Sequence, residues 1–364
     1  MSAPTIVDVQ GRKLKLTNLD KILYPATGFT KGEVVDYYAR IAPVLLPHLA
    51  GRPLTMKRYP EGVGEDHEYF FEKNAPKFRP DWIKTAPVWS EGNNRTVNYI
   101  LANDLPTLVW IANLASIELH PSLSLAADLE TPTMIVFDLD PGPPANIVQC
   151  AQVGLWVRDI FKHFGLQSFP KTSGSKGLQI YVPLHTKTGY DQTKPFANAI
   201  ARLLEQEYPG LVVSDMKKAV RTNKIFVDWS QNDRHKTTIS VYSLRARAHP
   251  TVSTPVTWEE VEQALKKKDA ARLLFEAKDV LARVEKMGDL FEPVLKLQQK
   301  LPQLAGLAAA SETVGKSEDE PVSEDGAQQP LRPTKAPTKA KENARKKKTA
   351  AAKAKSPTSK RHRL

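Results

Sequence analysis

The sequence predicts a mixed α/β fold, and three features predict it. Apolar runs of strand length at 134–137, 178–182 and 225–227 alternate with amphipathic stretches of helix length at 145–164 and 192–207. The first run leads directly into Asp138 and Asp140 before Pro141-Gly142 breaks it. The third leads into Asp228. Strand side chains alternate faces, so Asp138 and Asp140 share one face with Leu139 opposite. Paired carboxylates repel unless a cation lies between them, and Mg2+ is held by one or two carboxylates plus substrate phosphates. The same stretch also reads as a strand end whose acids cap a turn, and such patterns recur on unrelated folds.

At 364 residues and a formal net charge of +12, the chain has room for two domains or one large one. Its longest apolar stretch, 108–117, is shorter than the ~18 residues of a membrane helix and carries Asn113. No basic region followed by an apolar core marks a secretory signal at the N-terminus. The single cysteine, Cys150, excludes an intramolecular disulfide and reads as a packing residue. The expectation is a cytoplasmic protein without membrane attachment. Charge is uneven: residues 332–364 hold thirteen Lys or Arg and one acid, Glu342, whereas residues 1–331 hold 39 basic and 39 acidic residues. The reading is a balanced body over 1–303 and a disordered basic tail over 304–364. Such a tail gains affinity for nucleic acid by counterion release, or serves as a solubilising extension.

The elements follow in order. Residues 1–20 alternate apolar and polar around Gly11 and read as short strands. Thr30-Lys-Gly-Glu33 has the form of a capping box. It opens a helix whose apolar face is Val34, Tyr37, Tyr38, Ile41, Val44 and Leu45. Lys21 and Lys31 flank the preceding turn; lysines near a helix N-terminus suit a phosphate, although by themselves they read more simply as solvated. Residues 52–60 read as a strand with Lys57 and Arg58 near its end. Tyr69, Phe70 and Phe71 stand together; exposed rings stack on bases, but burial is the commoner fate and the reading here. Residues 97–101 read as a strand and 105–115 as a buried helix. The run 117–121 includes His120, which alone reads as structural.

In the second half, 145–164 forms an amphipathic helix stopped by Gly165. Ser173-Gly-Ser-Lys-Gly177 is a small loop bearing one cation and running into a strand. Backbone N–H groups and Lys176 in such a loop can approach a polyphosphate, though the Walker A spacing is missing and a glycine hairpin fits as well. Arg221 lies seven residues before Asp228. Three carboxylates on two strands suffice for two divalent ions, the arrangement of in-line displacement at phosphorus. Residues 237–244 read as a strand ending in Arg245 and Arg247, two apart and so on one face. This suits a phosphate clamp or a solvated strand end. Helices follow from about 258 and over 273–301.

Taken in order, Phe137-Asp-Leu-Asp-Pro141, Thr172-Ser-Gly-Ser-Lys-Gly-Leu178, Phe226-Val-Asp-Trp229 and Tyr242-Ser-Leu-Arg-Ala-Arg247 resemble the polymerase domain of bacterial ligase D, of the archaeo-eukaryotic primase superfamily. The resemblance spans about residues 5–300. Each motif is weak alone; the ordered set is specific. It implies a primase-type catalytic core (about 131–303) with an RRM-like mixed or antiparallel sheet flanked by helices, after an N-terminal module (about 1–130). It also implies a monomer that performs DNA-directed nucleotidyl transfer with two Mn2+ or Mg2+ ions. The substrates would be rNTPs or dNTPs and DNA with gaps or double-strand breaks. The context would be end joining with Ku and a separate DNA ligase, at the nucleoid.

Residue by residue, Asp138, Asp140 and Asp228 match the family's metal-binding carboxylates. Ser173 and Lys176 match its triphosphate loop, and Arg245, with Arg247 nearby, its phosphate-contacting arginine. His120 matches a histidine near the incoming nucleotide, and Phe70 and Phe71 match stacking aromatics. Lys57 and Arg221 match basic residues lining the site, and Lys21 and Lys31 the pair that holds the 5′-phosphate across a gap. At position 179 the family usually has His, and this chain has Gln179. Gln supplies no imidazolium but can still donate a hydrogen bond to phosphate. Two rival readings are a non-catalytic DNA-end-binding protein and, more remotely, a haloacid-dehalogenase-type phosphatase. The phosphatase pattern wants Thr or Val where this chain has Gly142.

Overall fold

The computed structural model describes residues 4–303, so the basic tail lies outside the described residues. The chain opens with two small hairpins, β1 (Thr5–Val9) with β2 (Arg12–Leu16) and β3 (Ile22–Tyr24) with β4 (Phe29–Thr30). Helix α1 (Lys31–Leu49) begins on the expected capping box: Glu33 N donates to Thr30 Oγ1 at 3.2 Å, and Thr30 N to Glu33 Oε2 at 2.7 Å. Next come β5 (Leu54–Arg58), β6 (Phe70–Glu72), β7 (Thr85–Ser90), β8 (Arg95–Ile100), α2 (Leu105–Asn113) and β9 (Ser116–Pro121). These five strands form one sheet in which β5 pairs with β6, β8 and β9. A ribbon of β10 (Ser124–Leu125) and β11 (Asp128–Pro132) leads into the second half.

There, β12 (Met134–Pro141), α3 (Ile147–His163), β13 (Phe169–Thr172), β14 (Leu178–Pro183), α4 (Tyr190–Glu207), β15 (Val212–Val213) and β16 (Ile225–Asp228) build a second sheet. Its order is β13-β14-β12-β16-β15, antiparallel except for the β15–β16 pair. Helices α5 (Trp258–Lys267), α6 (Ala277–Met287) and α7 (Pro293–Lys296) follow.

The alternation of β12 explains how the sheet is covered. Ile135, Phe137 and Leu139 enter a core with Cys150, Val153, Val157 and Phe161 of α3 and Phe196, Ile200 and Leu204 of α4. Met134 and Val136 enter a second core with Tyr37, Tyr38 and Ile41 of α1. Each fully buried side chain of this kind contributes about 1.5–3 kcal/mol, so both faces are strongly specified. Asp138 and Asp140 continue the Met134/Val136 face beyond its apolar end.

Asp138 and Asp140 lie within β12 as the alternation of faces requires, and Asp138 pairs with Gln179 on one side and Asp228 on the other. Two expectations are corrected. Residues 237–244 are not a strand. Only isolated bridges form, Ser122 with Thr237 and Leu244 with Val252, because Tyr242 turns the chain at φ 62°. Tyr242 is held there by N–H donation to Ser253 O at 2.7 Å and O–H donation to Asp289 Oδ1 at 2.6 Å. Nor is 273–301 one helix: α6 ends at Gly288, φ 68°, and α7 begins at Pro293.

Candidate active site

A cavity of about 600 Å³ opens over the polar end of the β12 face. Asp138, Asp140 and Gln179 line it from the sheet, Ser173 and Lys176 from the β13–β14 loop, and His120, Arg221, Arg245 and Arg247 from other segments. Nine residues singled out from the sequence therefore converge. Asp228 is directly opposite Asp138 in register.

The acids carry the strain. Asp138 Oδ1 is buried with no hydrogen-bond partner. Burial, then the charges of Asp140 and Asp228, push the Asp138 carboxyl up to about 7, with a hydrogen bond from Gln179 acting the other way. Asp140 is raised by burial and by Asp228, against Arg221, Lys176 and Arg245. Asp228 is engaged with its own turn: Oδ1 accepts from Ser230 N at 2.9 Å and Ser230 Oγ at 2.6 Å, and Oδ2 from Gln231 Nε2 at 2.9 Å. Accordingly, no group of three or more His, Cys, Asp or Glu among the described residues is gathered as a metal cage. Asp138 and Asp140 nevertheless suit a hard divalent cation, since an orphaned carboxylate oxygen among like charges is costly without one.

The Ser173–Gly177 loop is closed by Ser173 N donating to Gly177 O at 2.9 Å and Gly177 N donating to Ser173 Oγ at 3.1 Å. Arg245 Nη1 donates to Ser173 O and Arg247 Nη2 to Ser175 Oγ, so both arginines brace the loop that leaves Lys176 exposed. They share the cavity without sharing a strand. Gly174 takes φ 64°, and a Cβ there would meet the Val252 carbonyl carbon at 2.5 Å. Gly174→Ala is therefore expected to lower the melting temperature by several degrees and weaken nucleotide binding, read by thermal melts and by titration with a nucleoside triphosphate.

Glu118 is a residue whose role the sequence reading missed. It is buried on β9 at 3% exposure, yet four groups meet it. Its Oε1 accepts from Arg245 Nε at 3.1 Å and Ala246 N at 3.0 Å; Oε2 faces His120 Nε2 at 2.9 Å and Lys57 Nζ at 4.0 Å. Burial alone would raise its carboxyl, but the His120 hydrogen bond and the charges of Arg245, His120 and Lys57 hold it well below the usual carboxylate range. A carboxylate two residues before His120 was the available signal, since alternate strand residues share a face. Lys171, two residues before Ser173 on a buried strand, was missed in the same way.

The aromatics are exposed, contrary to the reading from composition: Tyr69, Phe70 and Phe71 are each half-exposed or more. Phe71 pairs with Lys57 and its ring lies 6.3 Å from that of His120, whereas Phe70, next along β6, projects to the other face. Lys57 Nζ sits 4.2 Å over Tyr69 and 5.3 Å over Phe71. Arg221 stacks 3.6 Å over Phe226. Lys21 and Lys31 stand outside the cavity lining. Lys21 pairs with Glu61 at 2.6 Å, and Lys31, 5% exposed, donates to Thr17 O at 2.5 Å. Burial, then the charges of Lys21 and Arg58, push Lys31 down to about 8.

A family model described as the LigD primase-polymerase domain matches residues 30–291. The chain belongs to the LigD primase-polymerase family. The match takes in both sheets and every cavity-lining residue, and leaves Lys21 outside. The multifunctional non-homologous end joining protein LigD of Mycolicibacterium smegmatis is 42% identical over 83% of this chain and 39% of its own length. The bifunctional LigD of Bacillus subtilis is 32% identical over 76% of this chain and 43% of its own. The chain thus spans about two fifths of the LigD relatives it matches. The solved polymerase domain of Mycobacterium tuberculosis ligase D, in complex with DNA, superimposes with TM-score 0.72 at 41% identity, covering 79% of this chain and 99% of that one. The LigD primase-polymerase assignment displaces the phosphatase reading. Among the described residues no helix is long and apolar enough to cross a membrane.

Proposed function

We propose that this chain is a DNA-directed nucleotidyltransferase that adds rNTPs or dNTPs to primer 3′ ends at gaps or broken ends in DNA repair. The observation that carries the reading is the unpartnered, buried Asp138 oxygen in a cavity it shares with Lys176, Arg245 and Arg247. Acids alone would repel a triphosphate and cations alone would only bind one; the two together suit phosphoryl transfer. The mycobacterial neighbour, solved with DNA, supports DNA as the partner.

Asp138 and Asp140, joined by Asp228, would hold two Mn2+ or Mg2+ ions, which supply activation of the 3′-hydroxyl and charge neutralisation at the leaving pyrophosphate. Ser173, Lys176 and the loop amides bind the β- and γ-phosphates. Arg245 and Arg247 neutralise the same group while bracing the loop. Burial lowers the His120 pKa while its hydrogen bond to Glu118 acts the other way, and Glu118 orients the ring beside the nucleotide. Phe71 offers its exposed face to a base, and Lys57 adds charge beneath it. Arg221 from the cavity lining and Phe70 from the other face of β6 would contact DNA, and Lys21 and Lys31 would hold a downstream 5′-phosphate. Residues 1–303 form the polymerase body, and the basic tail adds salt-sensitive affinity without sequence preference. Acting as a monomer in the cytoplasm, the chain would work at the nucleoid with Ku and a separate ligase. Primer extension on a gapped duplex tests the reading. Addition dependent on divalent metal supports it, and tight binding without addition opposes it.

A further inference from the structure

Lys171 has no exposed surface, yet the mechanism above does not use it. It lies on β13 directly opposite Gln179, which lies directly opposite Asp138. Adjacent strand partners share a face, so the three side chains form one row across the sheet. A buried amino group is costly unless its donors are engaged. Lys171 Nζ donates to Gln179 Oε1 at 2.5 Å and to Ser253 Oγ at 2.6 Å.

The partners fix the direction of both bonds. The Ser253 hydroxyl proton goes to Thr172 O at 3.0 Å, so Ser253 Oγ is an acceptor toward Lys171. An amide oxygen only accepts. Gln179 is therefore held with its oxygen toward β13 and its NH2 group toward β12. There it donates to Thr238 Oγ1 at 3.3 Å and faces Asp138, its partner across the strand pair. The flipped amide would set donor against donor at Lys171 and acceptor against acceptor at Asp138. Ammonium and neutral amine both donate, so the argument does not depend on the charge of Lys171.

We propose that Lys171 is a positioning residue that acts through Gln179: it locks the amide so that Gln179 donates to one side of the Asp138 carboxylate and leaves Oδ1 free for a divalent cation. The inference rests on the reading of Asp138 as a metal ligand. It gives Gln179, where the family usually has His, a defined task.

The test is Mn2+ binding to the full chain, without DNA or nucleotide, by calorimetry, for wild type, Lys171→Met, Gln179→Leu and the double variant, with thermal melts alongside. Wild type should bind Mn2+. Lys171→Met should bind about tenfold more weakly, the size of one hydrogen bond to a charged group. The double variant should be no weaker than Gln179→Leu alone, since the two act as a unit. Multiplying effects, or unchanged Mn2+ affinity with a lowered melting temperature, would overturn the proposal in favour of plain packing. No Mn2+ binding by wild type would overturn the metal reading itself, and the inference with it. A second measurement needs no Lys171 variant. The Gln179 side-chain amide resonance, assigned by its loss in Gln179→Leu, should exchange slowly with solvent and shift on Mg2+ addition. Fast exchange without a shift overturns the proposal.

Discussion

Asp138→Asn is expected to abolish nucleotide addition, by at least about a thousandfold, while raising the melting temperature of the metal-free protein by several degrees. The two movements have one cause. The folded protein holds the Asp138 carboxyl at about 7, above its ordinary value, through burial and the neighbouring Asp140 and Asp228. A carboxyl whose pKa is raised by folding favours the folded state while protonated, and that stability is lost as pH rises from about 4 to about 7. Wild type should therefore lose stability across this window, and Asp138→Asn should lose less, with Asp140, still raised by burial and Asp228, contributing the remainder. Mn2+ should restore wild type at pH 7 and leave the variant unmoved. Thermal melts against pH with and without Mn2+, beside extension rates, measure all of this. A variant less stable than wild type at pH 7 would contradict the account.

Glu118→Gln is expected to act through nucleotide binding. Glu118 meets Arg245, His120 and Lys57, so neutralising it leaves three basic groups without their common partner. Breaking a buried pair from one side costs about 3–5 kcal/mol, a melting temperature lower by roughly 10 °C in a protein of this size. Arg245 would no longer be aimed at the loop, so KM for the triphosphate should rise at least about tenfold, with a smaller fall in kcat. The pH sign is opposite to that of Asp138. The Glu118 carboxyl is held low, so its contribution is full above the unfolded pKa of about 4 and is lost as pH falls below it. Glu118→Gln should therefore show a shallower loss of stability on acidification. Steady-state kinetics and acid titrations of the two proteins decide it.

The site was legible wherever one strand carried the signal. The period-two rule placed Asp138 and Asp140 on one face, and the capping box placed the start of α1 at Thr30. What the sequence withheld needed register. Nothing local says that Asp138 stands opposite both Gln179 and Asp228, or that Lys171 completes the row. The strand expected over 237–244 failed because Tyr242 turns the chain, yet Arg245 and Arg247 still enter the cavity. The exposure of Phe70 and Phe71 was equally hidden, since aromatic composition favours burial and only the β5–β6 pairing shows which ring faces His120.

The most direct test of the central claim is extension of a primer at a short gap with a downstream 5′-phosphate. The full chain is used with Mn2+, with rNTPs and dNTPs in separate reactions and Asp138→Ala/Asp140→Ala as control. The account predicts templated addition by wild type with at least one nucleotide class and none by the double variant. Tight binding of the gapped duplex with no addition by wild type, or equal addition by both proteins, would contradict it.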